Sequence, residues 1–187
     1  MDTVVRHRPE GLEALCRQTK FTKKEIQHMY RGFKQECPSG TIDEETFKDI
    51  YGQFFPLGDA RPYAHHVFNA LDTTRNGCVN FEELLSTLSV IVRGSMVEKI
   101  RWTFSLYDIN KDGYVTKQEL MEIISSIYAM MGHAGSHSDR TARDHVEKVF
   151  PKMDLNRDGI ITLEEFLDSC LQVIFFLVIN VSVWIKS

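Results

Sequence analysis

Apolar residues recur at helical spacing through most of the chain, in short segments divided by polar, glycine-bearing stretches. One such face has apolar side chains at i, i+3, i+4 and i+7: Val146, Val149, Phe150 and Met153. A second face has nearly the same spacing: Ile100, Phe104 and Tyr107. The segments 22–25 and 95–98 have the sequence of a capping box, in which a hydroxyl and a glutamate satisfy the free amides of a helix start. These features predict an all-α protein.

A unit of helix, loop and helix occurs four times along the chain. Glycine takes the same place in each loop: Gly40, Gly77, Gly113 and Gly159. Two places later each loop has a β-branched residue: Ile42, Val79, Val115 and Ile161. A unit of this length cannot bury its own apolar face, so it must pair with a neighbour. The β-branched positions can join adjacent loops as a short antiparallel bridge. The glycine spacing predicts two paired lobes, unit one with two and unit three with four.

The third and fourth loops, residues 108–119 and 154–165, carry oxygen-bearing side chains at positions 1, 3 and 5 and a glutamate at position 12. The third loop offers Asp108, Asn110, Asp112 and Glu119, with the backbone carbonyl of Tyr114. The fourth offers Asp154, Asn156, Asp158 and Glu165, with the carbonyl of Ile160. This resembles the EF-hand, where six to eight oxygens surround Ca²⁺ after a sharp turn at glycine. We therefore expect two Ca²⁺ sites, with dissociation constants of roughly 10⁻⁷ to 10⁻⁵ M.

The second and first loops depart from this pattern to different degrees. The second offers Asp72, Thr74, Asn76, the carbonyl of Cys78, and Glu83. It has fewer carboxylates than the later loops, and the positive charge of Arg75 lies between its ligand positions. It is therefore a weak third candidate for Ca²⁺ or Mg²⁺. The first offers no carboxylate at the ligand positions, which hold Gln35, Cys37, Ser39 and Thr46. We expect the first loop to be structural only.

Composition narrows the class of protein. With 187 residues, 43% hydrophobic, 26% charged and a net charge of −4, the chain is typical of a soluble globular protein and has no basic surface for nucleic acid. Its four cysteines are scattered, as in a reduced cytosolic protein. The N-terminus has no apolar signal region, and Asp2 stands where N-myristoylation requires glycine. No pairing of a nucleophile with a base is evident, so we do not expect an enzyme.

The aromatic and methionine content favours a calcium switch over a passive calcium buffer. Sensor hands open on binding and expose an apolar groove for a partner helix. Candidates for the groove lining are Tyr51, Phe54, Phe55, Phe68 and Trp102, with Met29, Tyr30, Met130 and Met131 as further possibilities. Plain core packing is the alternative for each of them.

The organisation predicted from these patterns has three parts. Residues 1–93 form an N-terminal pair of hands, 94–170 a C-terminal pair, and 171–187 an atypical hydrophobic tail, with the join at 93–95. The polar stretch 132–139 is predicted to be a linker. The tail is shorter than the ~20 apolar residues of a bilayer span. Docking in the groove, contact with a membrane surface through Trp184 and Lys186, and an aggregation-prone tail all stay open.

Several motifs resemble the Kv channel-interacting proteins, a branch of the neuronal calcium sensors within the recoverin-like EF-hand family. They are His7-Arg-Pro-Glu-Gly-Leu12, Gln18-Thr-Lys-Phe-Thr-Lys-Lys-Glu25, and Tyr30 to Gly40; the basic Arg-Pro-Glu-Gly-Leu opening points to this branch in particular. The Cys37-Pro38 pair and segments 53–56 and 106–113 are similar to the wider sensor family. The resemblance covers residues 6 to 170 and ends before the hydrophobic tail.

This resemblance implies a regulatory subunit that binds the cytoplasmic N-terminal helix of A-type, Shal-class potassium channels and alters their gating and surface expression. It also implies a cytoplasmic location, peripheral at the plasma membrane through the channel. A calcium-dependent transcriptional repressor, with a presenilin partner, is the second interpretation. A regulator of another target protein is the third.

Overall fold

A computed structural model of the chain describes residues 10–132 and 136–173. Within them the secondary structure is helical apart from short strands, which confirms the all-α prediction with paired hands. The helices are α1 (Leu12–Gln18), α2 (Lys23–Glu36), α3 (Glu44–Gln53), α4 (Arg61–Leu71), α5 (Phe81–Arg93), α6 (Met96–Tyr107), α7 (Lys117–Met130), α8 (Ser136–Met153) and α9 (Leu163–Val173). The strands are β1 (Thr41–Asp43), β2 (Cys78–Asn80), β3 (Tyr114–Thr116) and β4 (Ile160–Thr162).

The strands join the loops in the predicted pairs. β1 lies antiparallel to β2 with Ile42 opposite Val79, and β3 lies antiparallel to β4 with Val115 opposite Ile161. All four side chains are buried, at 4% exposure or less. The bridge therefore ties two loops together and also anchors them in the core.

Side-chain caps fix where the helices begin. The predicted capping boxes are confirmed at Thr22 for α2 and at Ser95 for α6. Asn80 and Thr116 form further boxes at α5 and α7, and their partners are the loop glutamates Glu83 and Glu119. The predicted metal ligands Glu83 and Glu119 therefore also cap the helices that follow their loops.

The two halves meet through a polar clamp at the segment between α5 and α6. The Lys20 ammonium lies 2.6 Å from the Glu98 carboxylate, and the Lys20 backbone amide donates to Ser89 Oγ at 2.7 Å. Arg93 pairs with Glu25 and donates to the Lys20 carbonyl at 2.7 Å. Hydrogen bonds from the Arg93 guanidinium lower the pKa of the Glu25 carboxyl to about 2. The clamp connects the α1–α2 turn to the first turn of α6.

One expectation about the connection between α7 and α8 was wrong. Helix α8 begins at Ser136, inside the stretch 132–139 that the sequence predicts as a linker. Glycine and polar residues are typical of a linker, whereas the end of this stretch belongs to a helix that packs against α7. Residues 133–135 lie outside the described part of the chain, as does most of the predicted tail, residues 174–187. Among the residues that the structure describes, no helix is both long and apolar enough to cross a bilayer.

His66 is a buried titratable group at the boundary between the halves. Its side chain on α4 is 5% exposed, and its Nε2 lies 3.6 Å from Glu122 Oε1 on α7. Burial, and to a smaller extent the neighbouring His65, lowers the pKa of His66 to about 4. The Glu122 carboxylate is half exposed and its opposing attraction is screened, so burial dominates. The folded protein therefore holds His66 neutral at pH values where the unfolded chain is protonated.

We expect replacement of His66 by glutamine to flatten the acid dependence of stability. Because the folded pKa lies below the unfolded value, the free energy of unfolding of the unsubstituted chain falls as pH drops from 6.5 towards 4. One such group contributes at most about 1.4 kcal/mol per pH unit. Denaturant unfolding with a calcium chelator between pH 6.5 and 5 measures that slope. His28→Gln, at an exposed position of α2, is the control. Equal slopes for His66→Gln and the unsubstituted chain would contradict this assignment.

Candidate metal centres and partner groove

Three loops share one backbone turn. Loop position 4 has a left-handed backbone in each of them: Arg75 (φ 55°), Lys111 (φ 62°) and Arg157 (φ 60°). Position 6 is glycine with a positive φ: Gly77 (79°), Gly113 (91°) and Gly159 (89°). Residues other than glycine rarely adopt a φ of about +80 to +90°, so the glycine at position 6 permits the sharp reversal of the chain after position 5. The turn brings positions 1, 3 and 5 to the same side of the loop.

The aspartate at position 1 is held in place by the loop backbone. Asp108 accepts hydrogen bonds from the amides of Asp112 at 3.1 Å and Gly113 at 3.0 Å. Asp154 accepts the same bonds from Asp158 and Gly159 at the same distances. Both aspartates are buried. An ionised carboxylate in that setting needs charge partners, and a bound cation would supply one.

The glutamate at position 12 lies over the loop rather than in solvent. Glu119 accepts from the amide of Ile109 at 3.1 Å with one oxygen and from that of Thr116 at 2.8 Å with the other. Glu165 accepts equivalent bonds from Leu155 and Thr162. The Thr162 amide is the main cause that holds the pKa of Glu165 below its ordinary range. Each glutamate therefore joins the start of the loop to the start of the outgoing helix.

The oxygen ligands of the third and fourth loops fit Ca²⁺ once the asparagine at position 3 of each loop rotates. Asn110 donates from Nδ2 to Asp112 Oδ2 at 2.9 Å, and Asn156 does the same to Asp158 at 2.9 Å. Ligation would exchange that bond for a bond from the asparagine oxygen to the ion. Among the described residues, no group of three His, Cys, Asp or Glu side chains is gathered as a metal cluster. An EF-hand site also takes oxygens from asparagine and from backbone carbonyls.

The second loop has the same scaffold with fewer charges. Asp72 accepts from the amides of Asn76 at 3.2 Å and Gly77 at 2.8 Å, and Glu83 accepts from Thr74 at 3.2 Å. Thr74 donates its hydroxyl to Asp72 at 3.3 Å, and the amide of Cys78 binds Asn76 Oδ1 at 2.8 Å. The geometry is preorganised, but the attraction for a divalent ion is weaker because only positions 1 and 12 carry carboxylates.

The first loop differs in its backbone as well as in its ligands. Helix α2 continues to Glu36 and Cys37 caps its end, so the first positions of this loop are still helical. Pro38 occupies position 4, where the other three loops have a left-handed residue, and its ring prevents a positive φ. These residues do not fit a metal site.

Comparison with known families agrees with this geometry. Models described as an EF-hand domain pair match residues 38–90 and, separately, residues 97–171. The chain is an EF-hand protein. Calcium is therefore its expected ion. Each match covers one pair of loops joined by a bridge, so the family's pairing rule holds in both halves.

A small apolar groove lies between α3, α4, α5 and α6. Of the predicted lining residues, Tyr51 and Trp102 face it. Phe68 is 1% exposed and packs against Phe47, with ring centroids 5.7 Å apart. Phe55 stacks on Tyr51 at 5.3 Å beside the groove, and Phe54 caps the end of α3. Of the three predicted residues that do not line the groove, Phe68 and Phe55 belong to the core packing around it and Phe54 ends α3.

The sequence interpretation missed most of the lining. The residues it did not select are Phe47, Val67, Leu71, Leu84, Thr87, Leu88 and Ile91. Leu84, Leu88 and Ile91 lie at i, i+4 and i+7 of α5, a spacing that could have identified them. Within the described residues, the buried Tyr51 hydroxyl and Trp102 Nε1 have no hydrogen-bond partner. Burial raises the pKa of Tyr51, so its hydroxyl stays a donor.

We expect the double substitution Glu119→Gln and Glu165→Gln to remove the tight calcium sites. Glutamine keeps the size and one acceptor oxygen, but it loses the charge and the two-oxygen grip on the ion. Calorimetric titration should show affinity at least about tenfold weaker at both sites. The double control Glu147→Gln and Glu164→Gln removes as much charge from exposed positions and should titrate like the unsubstituted chain. An unchanged stoichiometry of tight sites in the first double variant would reject the assignment.

Proposed function

We propose that this EF-hand protein is a calcium-sensing regulatory subunit of A-type, Shal-class voltage-gated potassium channels. It binds the cytoplasmic N-terminal helix of the channel in the apolar groove and modulates gating and surface expression. It works in the cytoplasm, at the plasma membrane through the channel. The proposal is supported by the EF-hand pairs, the groove and the sequence resemblance to the Kv channel-interacting proteins.

The composition of the groove is the observation that carries this proposal. Its lining is almost wholly apolar, and the described part of the chain gives Tyr51 and Trp102 no polar partner there. An amphipathic helix offers apolar anchors at i, i+3, i+4 and i+7 together with polar side chains near its edges. The apolar anchors of such a helix would pack against the lining, and its polar side chains would accept hydrogen bonds from the Tyr51 hydroxyl and Trp102 Nε1.

The groove must open before it can hold a helix. Its interior volume is ≈ 30 Å³, which is on the scale of a single water molecule. A helix with its side chains is about 10 Å across. Sensor EF-hands change from a closed to an open helix pair when calcium binds, exposing an apolar groove. Trp102 lies on α6, which leads into the third loop, so the groove includes a residue of a calcium-binding hand.

We expect Ile91→Gln to weaken binding of the channel N-terminal segment by at least about tenfold, because a buried apolar contact is replaced by an amide. Val92→Gln is the control, since Val92 is the exposed neighbour on the same helix. Binding is measured by calorimetry with a peptide of the channel segment in saturating calcium. Far-UV circular dichroism and calcium titration check that both variants are folded.

Equal losses in the two variants would contradict the groove assignment. No binding by the unsubstituted chain, with calcium binding intact, would contradict the channel partner and favour another target protein. A chain ending at Cys170 is run beside the full chain, because a tail that competes for the groove would lower the affinity of the full chain only.

A further inference from the structure

A backbone-to-backbone contact joins the N-terminal half to the C-terminal half. It joins residues 57–59, in the turn between α3 and α4, to residues 129–132, at the end of α7. We call this contact the interlobe seam. The Asp59 amide donates to the Ala129 carbonyl at 3.0 Å. The last turn of a helix in the C-terminal half thus gains a donor from the N-terminal half.

Two glycines let the backbones of the seam approach this closely. A Cβ on Gly58 would overlap the carbonyl oxygens of Ala129 and Met130. A Cβ on Gly132, which has φ +82°, would lie 2.6 Å from the Leu57 carbonyl oxygen. The atoms in the way are backbone rather than flexible side chains, so they cannot turn aside. Movement of the end of α7 must therefore move the turn, or break the seam.

Helix α7 begins at the third loop. Glu119 lies in its first turn, and the helix is 14 residues long, or about 21 Å. A Glu119 drawn onto a calcium ion would reorient this helix as a rigid element. A cleft of ≈ 560 Å³ between α4 and α7, lined by His66, Glu122 and Ser125 among others, leaves room for the change.

The turn on the other side of the seam belongs to the groove. It follows α3, and the Gly58 amide donates to the Phe55 carbonyl at 3.4 Å. Phe55 stacks on Tyr51, with ring centroids 5.3 Å apart, and Tyr51 lines the groove. Displacement of residues 57–59 would thereby reach a side chain that lines the groove.

We propose that the interlobe seam relays calcium loading of the third loop to the apolar groove. This inference rests on the proposed calcium-sensing function and adds the route by which the C-terminal half controls the N-terminal half. The coupling needs a rigid helix, a tight contact and a site at each end, and the described residues contain all three.

The test compares Gly58→Ala with Gly32→Ala in the full chain. Gly32 has no atom within 4 Å of the position of an added Cβ, so it controls for the glycine-to-alanine change itself. Amide chemical shifts are followed by nuclear magnetic resonance during calcium titration, with calorimetry on the same samples. We expect calcium to shift amides in residues 51–59 of the unsubstituted chain and of Gly32→Ala. In Gly58→Ala those shifts should fall by about half or more, while the third loop still binds calcium.

A full response in Gly58→Ala would overturn the relay, as would an unsubstituted chain that binds calcium without any shift in residues 51–59. Absence of calcium binding would overturn the proposed function instead, and calorimetry separates the two failures. Should Gly58→Ala not fold, hydrogen exchange of the Asp59 amide in the unsubstituted chain decides. The relay predicts that calcium changes this rate by about threefold or more, and an unchanged rate overturns it.

Discussion

A carboxylate at loop position 12 ties each of the last three loops to the helix that follows it. Glu119 accepts hydrogen bonds from the entry of its loop and from Thr116 at the start of α7, so one side chain holds both ends of the loop. Glu165 does the same in the fourth loop. Two oxygens on one carboxylate can grip an ion and at the same time set the direction of the outgoing helix. In the third and fourth hands, ion binding would therefore be coupled to helix orientation through a single residue.

Much of the fold was predictable because its determinants are local or periodic. The β-branched residue two places after each loop glycine predicts the register of the bridge. In paired loops these two residues lie opposite each other, as Ile42 lies opposite Val79. Thr22 and Ser95 gave helix starts because a capping box is a four-residue pattern. The start of α8 at Ser136 was not predicted, because glycine and polar residues around 132–139 mask a helix held by packing against α7. Pro38 is visible in the sequence, but that it excludes the left-handed turn follows only from the positive φ of Lys111 and Arg157 at the same loop position.

The groove was less predictable than the calcium loops. Ligand positions follow from spacing along one loop, whereas the lining comes from four helices whose faces the sequence does not orient. A prediction of groove residues from aromatic type includes Phe68, which fills the core. It misses the aliphatic residues Leu88 and Ile91 of α5, which line the groove. The interlobe seam left no sequence signal beyond two glycines, Gly58 and Gly132, far apart in the chain. Such a contact is visible only when both backbones are placed. The two halves are in contact at the seam and at the ion pair between Lys20 and Glu98.

Function of this protein as a calcium sensor requires that the third and fourth loops bind calcium. Equilibrium dialysis of the full chain against micromolar calcium, in a buffer with physiological magnesium, measures that binding. The account predicts about two tightly bound calcium ions per chain, with half-saturation between roughly 10⁻⁷ and 10⁻⁵ M. A chain that retains no calcium in this range would contradict the account and leave the loops as structural turns of a helical scaffold.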